Sequence, residues 1–477
     1  MKNLILLITL FIGTKSVSQE NVKTLNLNLA RKTEVFQIVE EEKKQVLLFF
    51  SDKKNVRTIR LNQNFELLDS LTTTRPSNTY NDIVGHSSKD EKYYTYWTNS
   101  NNKEILAQCF DFSTNSVSNK SFSLDFEKEK TIKKITVNKV FYIVNIVKNT
   151  SKLHLYAFKE GSFQEKTIDL SDQQFWDFET KKTTLWKVFN ENTPFENPLS
   201  VQTISNDSPP SLAFSANKRK VYALDDKLIF TFDLTTSFTQ TLTIDLKNFT
   251  ASTKPFSQPF VLINEFNSGD SNSFLLEDNL IQTKLNPQKM VITIKDLSGK
   301  EINSFEINQD EEIAIKNSEI IQENGSIKNT RILDKSNQLL RKIFNLNPTI
   351  SCYKDKDIIY LTIGGVSLVQ NNDAAMVGGL LGGFTGALIG AAISSNFSLD
   401  NLNSYKDRKV VYINCKLDSN FKHLLGDYQK LAFDKLREFE EKNQNLDYKT
   451  IFKNNSALYF GGYKASSKSY EFYKFED

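Results

Sequence analysis

The feature that most restricts the fold of this chain is a hairpin pattern that recurs along almost its whole length. Apolar residues fall on every second position, the period of a β-strand, and a short polar turn leads to a second alternating strand. The turns carry Asn, Asp, Ser, Gly and Lys, as tight hairpins prefer. Seven hairpins follow this pattern, beginning at Thr58, Leu106, Leu153, Leu228, Val291, Thr330 and Val410.

Most of these hairpins are preceded by a further apolar strand, so each unit should hold three or four strands. The preceding strands begin at Gln45, Lys92, Val140, Lys220 and Asp357. Successive hairpins lie roughly forty to eighty residues apart, the range of propeller blades with insertions. The pattern therefore predicts an all-β body built from repeated antiparallel sheets.

The two ends of the chain supply the parts of one more unit. Strands beginning at Ser456 and Tyr470 have no partners after them, and an alternating strand from Val22 has no hairpin of its own. Pairing the N-terminal strand with the last unit would close a ring and remove exposed sheet edges. We therefore expect residues 19–477 to form a closed β-propeller of seven or eight blades.

This rhythm resembles that of WD40-like and related β-propellers in the broad sense, and the resemblance covers nearly the whole mature chain. It rests on strand spacing, because the Gly-His and Trp-Asp signature does not recur with the units. The resemblance implies a fold, and it transfers no functional residue.

The N-terminus has the layout of a secretory signal peptide over residues 1–18. Lys2 precedes an uncharged apolar run at residues 4–12, and Ser16 and Ser18 place small residues before a cleavage site. A buried N-terminal strand is the alternative. No cysteine lies near the cleavage site, so we expect an exported protein that is not a lipoprotein. It would be periplasmic, outer-membrane-associated or secreted.

Composition limits the partners and the redox chemistry. The 60 basic and 57 acidic residues give a net charge of +3, which offers no electrostatic reason to expect nucleic acid. The three cysteines are too few and too scattered for a disulfide framework. If one pair forms, Cys352 and Cys415 are the expected partners, since both fall in one unit; the alternative is three buried thiols.

A helical insertion is predicted over residues 427–446. Tyr428, Ala432, Leu436 and Phe439 form an apolar stripe at helical spacing. The pattern favours a helix that covers the core, with a partner-binding helix as the alternative.

A glycine-rich insertion over residues 366–404 is the most unusual segment. Residues 374–393 carry no charge, and a glycine recurs at every fourth position, which on a helix gives one face open to close backbone approach. The predicted interaction residues are Gly378, Leu380, Leu381, Gly382, Phe384, Gly386, Leu388, Ile389 and Gly390.

Three occupants of that glycine face remain open: the protein's own propeller, a protein partner (a second copy included) and a membrane surface. A single full membrane crossing is excluded, because the strands on either side of the insertion are assigned to one unit.

No catalytic, cofactor-binding or metal-binding residue can be assigned. The three histidines, His86, His154 and His423, lie far apart, and no zinc-protease, nucleophile-elbow or phosphate-loop motif is present. The clustered aromatic residues Tyr93, Tyr94, Tyr96 and Trp97 are expected in the core rather than on a binding face.

We therefore predict a non-enzymatic scaffold or binding subunit of the cell envelope that docks through its glycine zipper to a membrane or membrane protein. The alternative is a secreted hydrolase or lyase acting on sugars or peptides, which would need clustered carboxylates or a histidine in the propeller funnel.

Overall fold

The computed structural model describes residues 20–193, 195–206, 208–262, 269–369 and 399–477. Over these residues the chain is all-β, with five short helices and seven sheets of four or five strands. Strand pairing within these sheets is antiparallel, except that β16 pairs in parallel with β17. The prediction of repeated antiparallel sheets is confirmed.

The first three sheets each contain four consecutive strands. Sheet 1 contains β2 to β5, at Glu34–Glu40, Gln45–Ser51, Asn55–Leu61 and Leu67–Thr74. Sheet 2 contains β6 to β9, at Tyr80–Lys89, Lys92–Asn99, Glu104–Asp111 and Ser116–Ser123. Sheet 3 contains β10 to β13, at Glu129–Val137, Val140–Val147, Lys152–Lys159 and Ser162–Asp169.

The next two sheets follow a short hairpin, β14 (Phe175–Trp176) with β15 (Lys182–Thr183). Sheet 4 contains β16 to β20, at Gln202–Ile204, Arg219–Leu224, Lys227–Phe232, Phe238–Asp245 and Thr250–Ser257. Sheet 5 contains β21 to β24, at Asp270–Leu276, Asn279–Leu285, Lys289–Asp296 and Glu301–Asn308.

The last two sheets carry the irregular features. Sheet 6 contains β25 to β29, at Ile320–Asn324, Thr330–Leu333, Asn347–Asp355, Ile358–Val366 and Lys409–Asp418. Sheet 7 contains β30 to β32, at Asp447–Asn454, Ala457–Lys464 and Ser469–Phe475, together with β1 at Glu20–Asn26. The helices are α1 (Leu185–Asn190), α2 (Leu212–Ser215), α3 (Ser336–Phe344), α4 (Leu399–Asn403) and α5 (Ala432–Lys442).

The first and last strands of the described chain pair with each other. β1 runs antiparallel to β32 from Glu20 opposite Lys474 to Asn26 opposite Ser469. Sheet 7 therefore joins the two ends of the described chain, as the unpartnered strand from Val22 predicts.

The central strands of the sheets are apolar on both faces. On β3, Leu47 and Phe49 pack towards sheet 2, whereas Val46 and Leu48 pack towards sheet 7. A strand buried on both faces reads as a continuous apolar run, and it needs a neighbouring layer on each side. The core is therefore a series of layers between successive sheets.

The hairpin predicted at Thr330 is wrong in its second half. β26 is a short strand, and the chain then enters α3 instead of a second strand. Leu339, Leu340 and Ile343 of α3 are fully buried at helical spacing. This apolar stripe is buried against sheet 6. The apolar pattern of such a short segment does not by itself distinguish a helix from a strand, and here packing against the sheet favours the helix.

The hairpin predicted at Val410 is also incomplete. β29 ends in the predicted turn, but only an isolated bridge from Leu417 to His423 follows it. On the side of β29 away from β28, the neighbouring strand is β25, which pairs with β29 through Ile321 to Asn324. A strand from earlier in the chain thus takes the place of the expected hairpin partner.

The predicted helical insertion is present as α5 and covers the core. Leu436 is fully buried, and the Phe439 ring lies 5.3 Å from that of Phe460 and 5.5 Å from that of Phe475. On another side of the helix, Arg437 forms an ion pair with Glu323 of β25 at 2.8 Å. α5 thus ties sheet 7 to sheet 6.

Of the two outcomes left open for the cysteines, the structure shows the buried thiols and no bond between Cys352 and Cys415. Both thiols are free and buried, as is that of Cys109. Cys352 lies on β27 and Cys415 on β29, with Leu361 of β28 between them. Two strand spacings of about 4.8 Å place the pair at about 10 Å, beyond the roughly 7 Å that a disulfide spans.

Two hairpin turns bury a phenylalanine in a left-handed backbone conformation. Phe65 (φ 57°) and Phe421 (φ 59°) each follow an Asn or Asp that caps the turn, Asn62 or Asp418. The Phe65 ring contacts Phe472 at 4.7 Å and so joins sheet 1 to sheet 7.

Replacing Phe65 by alanine should lower the free energy of unfolding by about 3–5 kcal/mol, because it empties a buried aromatic site. Glycine should cost about 1 kcal/mol less than alanine, because it relieves the left-handed backbone. Urea unfolding of both variants measures this. The matched control is Phe260→Ala, since Phe260 is 82% exposed. An equal loss in Phe65→Ala and Phe260→Ala would contradict the assigned packing.

Candidate functional site

A polar cavity of about 160 Å³ lies where the first strands of sheets 1, 2 and 3 end. It is lined by Gln37, Val39 and Glu40 of β2, His86 of β6, Thr136 of β10, and Asn138 and Lys139 of the turn after β10. We call it the β2–β6–β10 cavity. Its walls carry a carboxylate, an ammonium group, an imidazole, a hydroxyl and two amides.

His86 is held in the cavity wall by its backbone. Its N–H donates to Thr136 Oγ1 at 3.2 Å, and that hydroxyl donates to the His86 carbonyl at 3.3 Å. The preceding Gly85 lies beside a register shift in β6, and a Cβ there would meet the Phe141 ring at 2.0 Å. Only glycine lets β6 approach β11 so closely at this position.

The His86 imidazole is buried and incompletely paired. His86 is only 6% exposed, and its Nδ1 has no hydrogen-bond partner among the described residues. Burial lowers the pKa of His86 to about 3. The ring is therefore neutral at physiological pH, and its Nδ1 is enclosed by protein atoms.

The charged groups of the cavity are bound to one another. Glu40 accepts hydrogen bonds from Ser88 Oγ at 2.5 Å and forms an ion pair with Lys139 Nζ at 3.1 Å. Lys139 also pairs with Glu42 at 2.7 Å. Two carboxylates around one ammonium leave the mouth of the cavity with a net negative charge, so it suits neutral or cationic ligands better than anions.

The turn that carries Lys139 is fixed by a neighbouring sheet. Asn138 and Lys139 both have positive φ, and Asn138 Nδ2 donates to Asp226 Oδ1 at 2.8 Å. Asp225 also has positive φ and lies in the hairpin turn between β17 and β18.

A second, smaller cavity of about 50 Å³ lies between sheet 6, α2 and α5. Its polar groups are paired: Tyr412 donates to Glu323 at 2.7 Å, and Tyr405 accepts from the Leu212 N–H at 2.9 Å. This cavity is a packing feature of the helices.

The predicted interaction residues of the glycine zipper lie outside the described residues. The strands that flank the insertion are described, and they pair directly: Val366 of β28 lies opposite Val410 of β29. The assignment of both strands to one sheet is confirmed. In the part of the chain that the structure describes, no helix has the length and apolar character needed to cross a membrane.

The aromatic residues singled out by the sequence are mostly core. Tyr93, Tyr96 and Trp97 are fully buried. Sequence reasoning noted His86 only as a lone histidine and missed Glu40 and Lys139. The sequence signal that could have found them is their position, because Glu40, His86 and Lys139 each lie at or near the end of the first strand of a sheet.

Comparisons with known proteins identify no family. No protein-family model and no curated protein matches the chain. A mutant of the Synechocystis apocarotenoid oxygenase is similar with a TM-score of 0.29 and 8% identity, covering 59% of this chain and 62% of that one. The cobalt-substituted Synechocystis enzyme gives a TM-score of 0.29 with 9% identity, over 60% and 63% of the two chains.

A protein from Lactobacillus plantarum gives a TM-score of 0.26 with 6% identity, over 69% of this chain and 80% of that one. The chain spans less than two thirds of either oxygenase form. Similarity at this level identifies neither a family nor a function.

The buried imidazole makes stability depend on pH in a defined direction. The unfolded chain binds a proton at the ordinary histidine pKa of about 6.5, whereas folded His86 does so only near 3. The unfolded state therefore binds more protons between these values, and this contribution to stability is lost as pH falls from 6.5 towards 3.

Replacing His86 by phenylalanine should reduce the pH dependence of the unfolding free energy, by up to about 1.4 kcal/mol per pH unit, between the folded and unfolded pKa values of the histidine. Urea unfolding at a series of pH values between 4 and 7 measures the difference. His423→Phe is the control, because His423 is only half-buried and should change the slope less. Identical slopes in His86→Phe and the unsubstituted protein would show that folding does not lower the pKa of His86.

Proposed function

We propose that this chain is an exported, closed seven-bladed β-propeller that acts as a non-enzymatic binding subunit of the bacterial cell envelope. The seven described sheets would be the blades, and β1 would complete the last of them by its pairing with β32. Core clusters shared by successive sheets, including sheets 7 and 1, support a ring. In a closed ring, each sheet would pack between two neighbouring sheets.

The observation that carries the binding function is the polar β2–β6–β10 cavity, whose wall includes the neutral imidazole of His86. In a propeller, the first strands of the blades line the central channel, so the cavity would lie at one end of that channel. A volume of about 160 Å³ is below the roughly 300–1,000 Å³ of drug-sized sites, so the ligand is small. Hydroxyl, amide and imidazole groups suit a small neutral polyol.

Binding is better supported than catalysis. A general base works best with a pKa near the operating pH, whereas burial holds the pKa of His86 at about 3. The Glu40 carboxylate is already bound by Ser88 and Lys139. The secreted hydrolase or lyase alternative would need an acid or base in this cavity that is not held by protein partners.

Saturation-transfer NMR with glycerol and glucose as probes tests the cavity. We expect a signal with the unsubstituted protein and none with Val39→Phe, which fills the cavity. His86→Phe should weaken binding about fivefold, because one hydrogen bond of about 1 kcal/mol is lost. Val117→Phe on the outer strand of sheet 2 is the control. A signal that persists in Val39→Phe would exclude the cavity as the site.

The proposed docking element is the glycine zipper at residues 374–393. Its flanking strands return to the same sheet, which supports a surface insertion that docks rather than a single crossing. A glycine face allows close approach by another backbone, and an uncharged segment of this length suits an apolar surface on a protein partner or a membrane.

Purification from gently solubilised membranes tests the docking proposal. Replacing residues 374–393 by a Gly-Ser linker of equal length should release the protein from its partner or the membrane fraction. Gly382→Leu should do the same by filling the glycine face, whereas Ala391→Leu, on the opposite face of such a helix, should not. Unchanged fractionation of the linker variant would contradict docking through this segment.

A further inference from the structure

Sheet 3 brings one polar residue from each of its four strands to a single cluster. These residues are Glu129 of β10, Asn145 of β11, His154 of β12 and Glu165 of β13. None of them lines the β2–β6–β10 cavity. Because the four strands are adjacent, the arrangement is set by sheet register and not by a flexible loop.

Three of these side chains present their donor atoms to one point. His154 Nδ1 lies 2.6 Å from Glu129 Oε1 and 3.5 Å from Glu165 Oε1. One donor atom from each residue falls within 4.8 Å of the others. A single imidazole nitrogen carries at most one proton, so it cannot donate a hydrogen bond fully to both carboxylates.

The cluster has an excess of negative charge. Among the described residues, His154 is the one basic side chain within ion-pair distance of either Glu129 or Glu165. A buried carboxylate in such surroundings favours a counter-charge.

The buried end of the cluster is held by two hydrogen bonds. Glu129 is 8% exposed, and its carboxylate accepts from Asn145 Nδ2 at 2.8 Å and Tyr156 OH at 3.2 Å. These donors come from the next two strands of the sheet, so the sheet itself orients the carboxylate towards His154.

We propose that Glu129, His154 and Glu165 bind a divalent transition-metal ion. One imidazole nitrogen and two carboxylate oxygens suit Zn²⁺ and its neighbours in the first transition series. The charge of the ion balances the two carboxylates, and the ion takes the place of the proton on His154 Nδ1. Asn145 and Tyr156 hold Glu129 in place, as outer-shell partners of metal ligands do.

The site opens towards solvent on the side of Glu165. The side chain of Glu165 is 48% exposed, whereas that of Glu129 is 8% exposed. Three protein ligands with one open side leave room for water or a small ligand, the pattern of exchangeable rather than closed structural sites. The inference is independent of the proposed polyol site, because the two share no residue.

Isothermal titration of the full chain with Zn²⁺, after EDTA treatment and without a histidine tag, tests the proposal. We expect one ion per chain, and visible absorption bands when Co²⁺ replaces Zn²⁺. His154→Ala and Glu165→Gln should weaken Zn²⁺ binding by at least about 100-fold, and Tyr156→Phe by about tenfold. His423→Ala is the matched control and should bind as the unsubstituted protein does.

Glu129→Gln is not the main test, because a change at a buried carboxylate alters folding as well. The exposed ligand Glu165 separates the two effects, since circular dichroism of Glu165→Gln should match that of the unsubstituted protein. Absence of Zn²⁺ and Co²⁺ binding, or binding that persists unchanged in His154→Ala, would overturn the proposal. The cluster would then be a hydrogen-bonded support for the buried Glu129.

Discussion

The rest of the structure depends on burial of both faces of each sheet. On β12, Leu153 and Leu155 pack towards sheet 4, whereas Tyr156 and Phe158 pack towards sheet 2. A sheet with two apolar faces is unstable alone, because each exposed face would leave large aromatic and aliphatic side chains in water. Sheets 2 and 4 bury the inner strands of sheet 3 from its two sides, and the pairing of β1 with β32 gives sheet 7 its fourth strand.

Polar groups inside such a stack are expensive unless they are paired, and most of them here are. Lys220 and Asp233 form a fully buried ion pair at 2.9 Å, and Asn272 also accepts a hydrogen bond from Lys220. His86 Nδ1 and Asn145 Oδ1 are among the buried polar atoms without a partner in the described chain. An unsatisfied buried atom costs about 1–3 kcal/mol, which is why paired arrangements such as that of Lys220 and Asp233 are favoured.

Sequence reasoning succeeded where local pattern and burial agree. The run from Gln45 and the run from Val140 are strands because their residues are β-branched or aromatic and buried on both faces. It failed at α3, which was predicted as the second strand of a hairpin. Leu339, Leu340 and Ile343 are fully buried on one side of a helix that packs against sheet 6, and the short sequence pattern did not specify this. It also failed for β29, whose neighbour comes from about ninety residues earlier, a pairing that no local pattern specifies.

The sequence by itself determined the repeated antiparallel sheets, the strand at each end and the presence of a helix within residues 427–446, because the periods of two and of 3.6 residues are local properties. The structure limits that helix to Ala432–Lys442, so Tyr428 precedes it. Only the tertiary structure decided what the polar residues do. Glu40, His86 and Lys139 meet because three sheets end at one place, and Glu129, His154 and Glu165 meet across strand register. It also separated Cys352 from Cys415 by a strand. Proximity of residues distant in sequence is set by packing, which spacing along the chain does not encode.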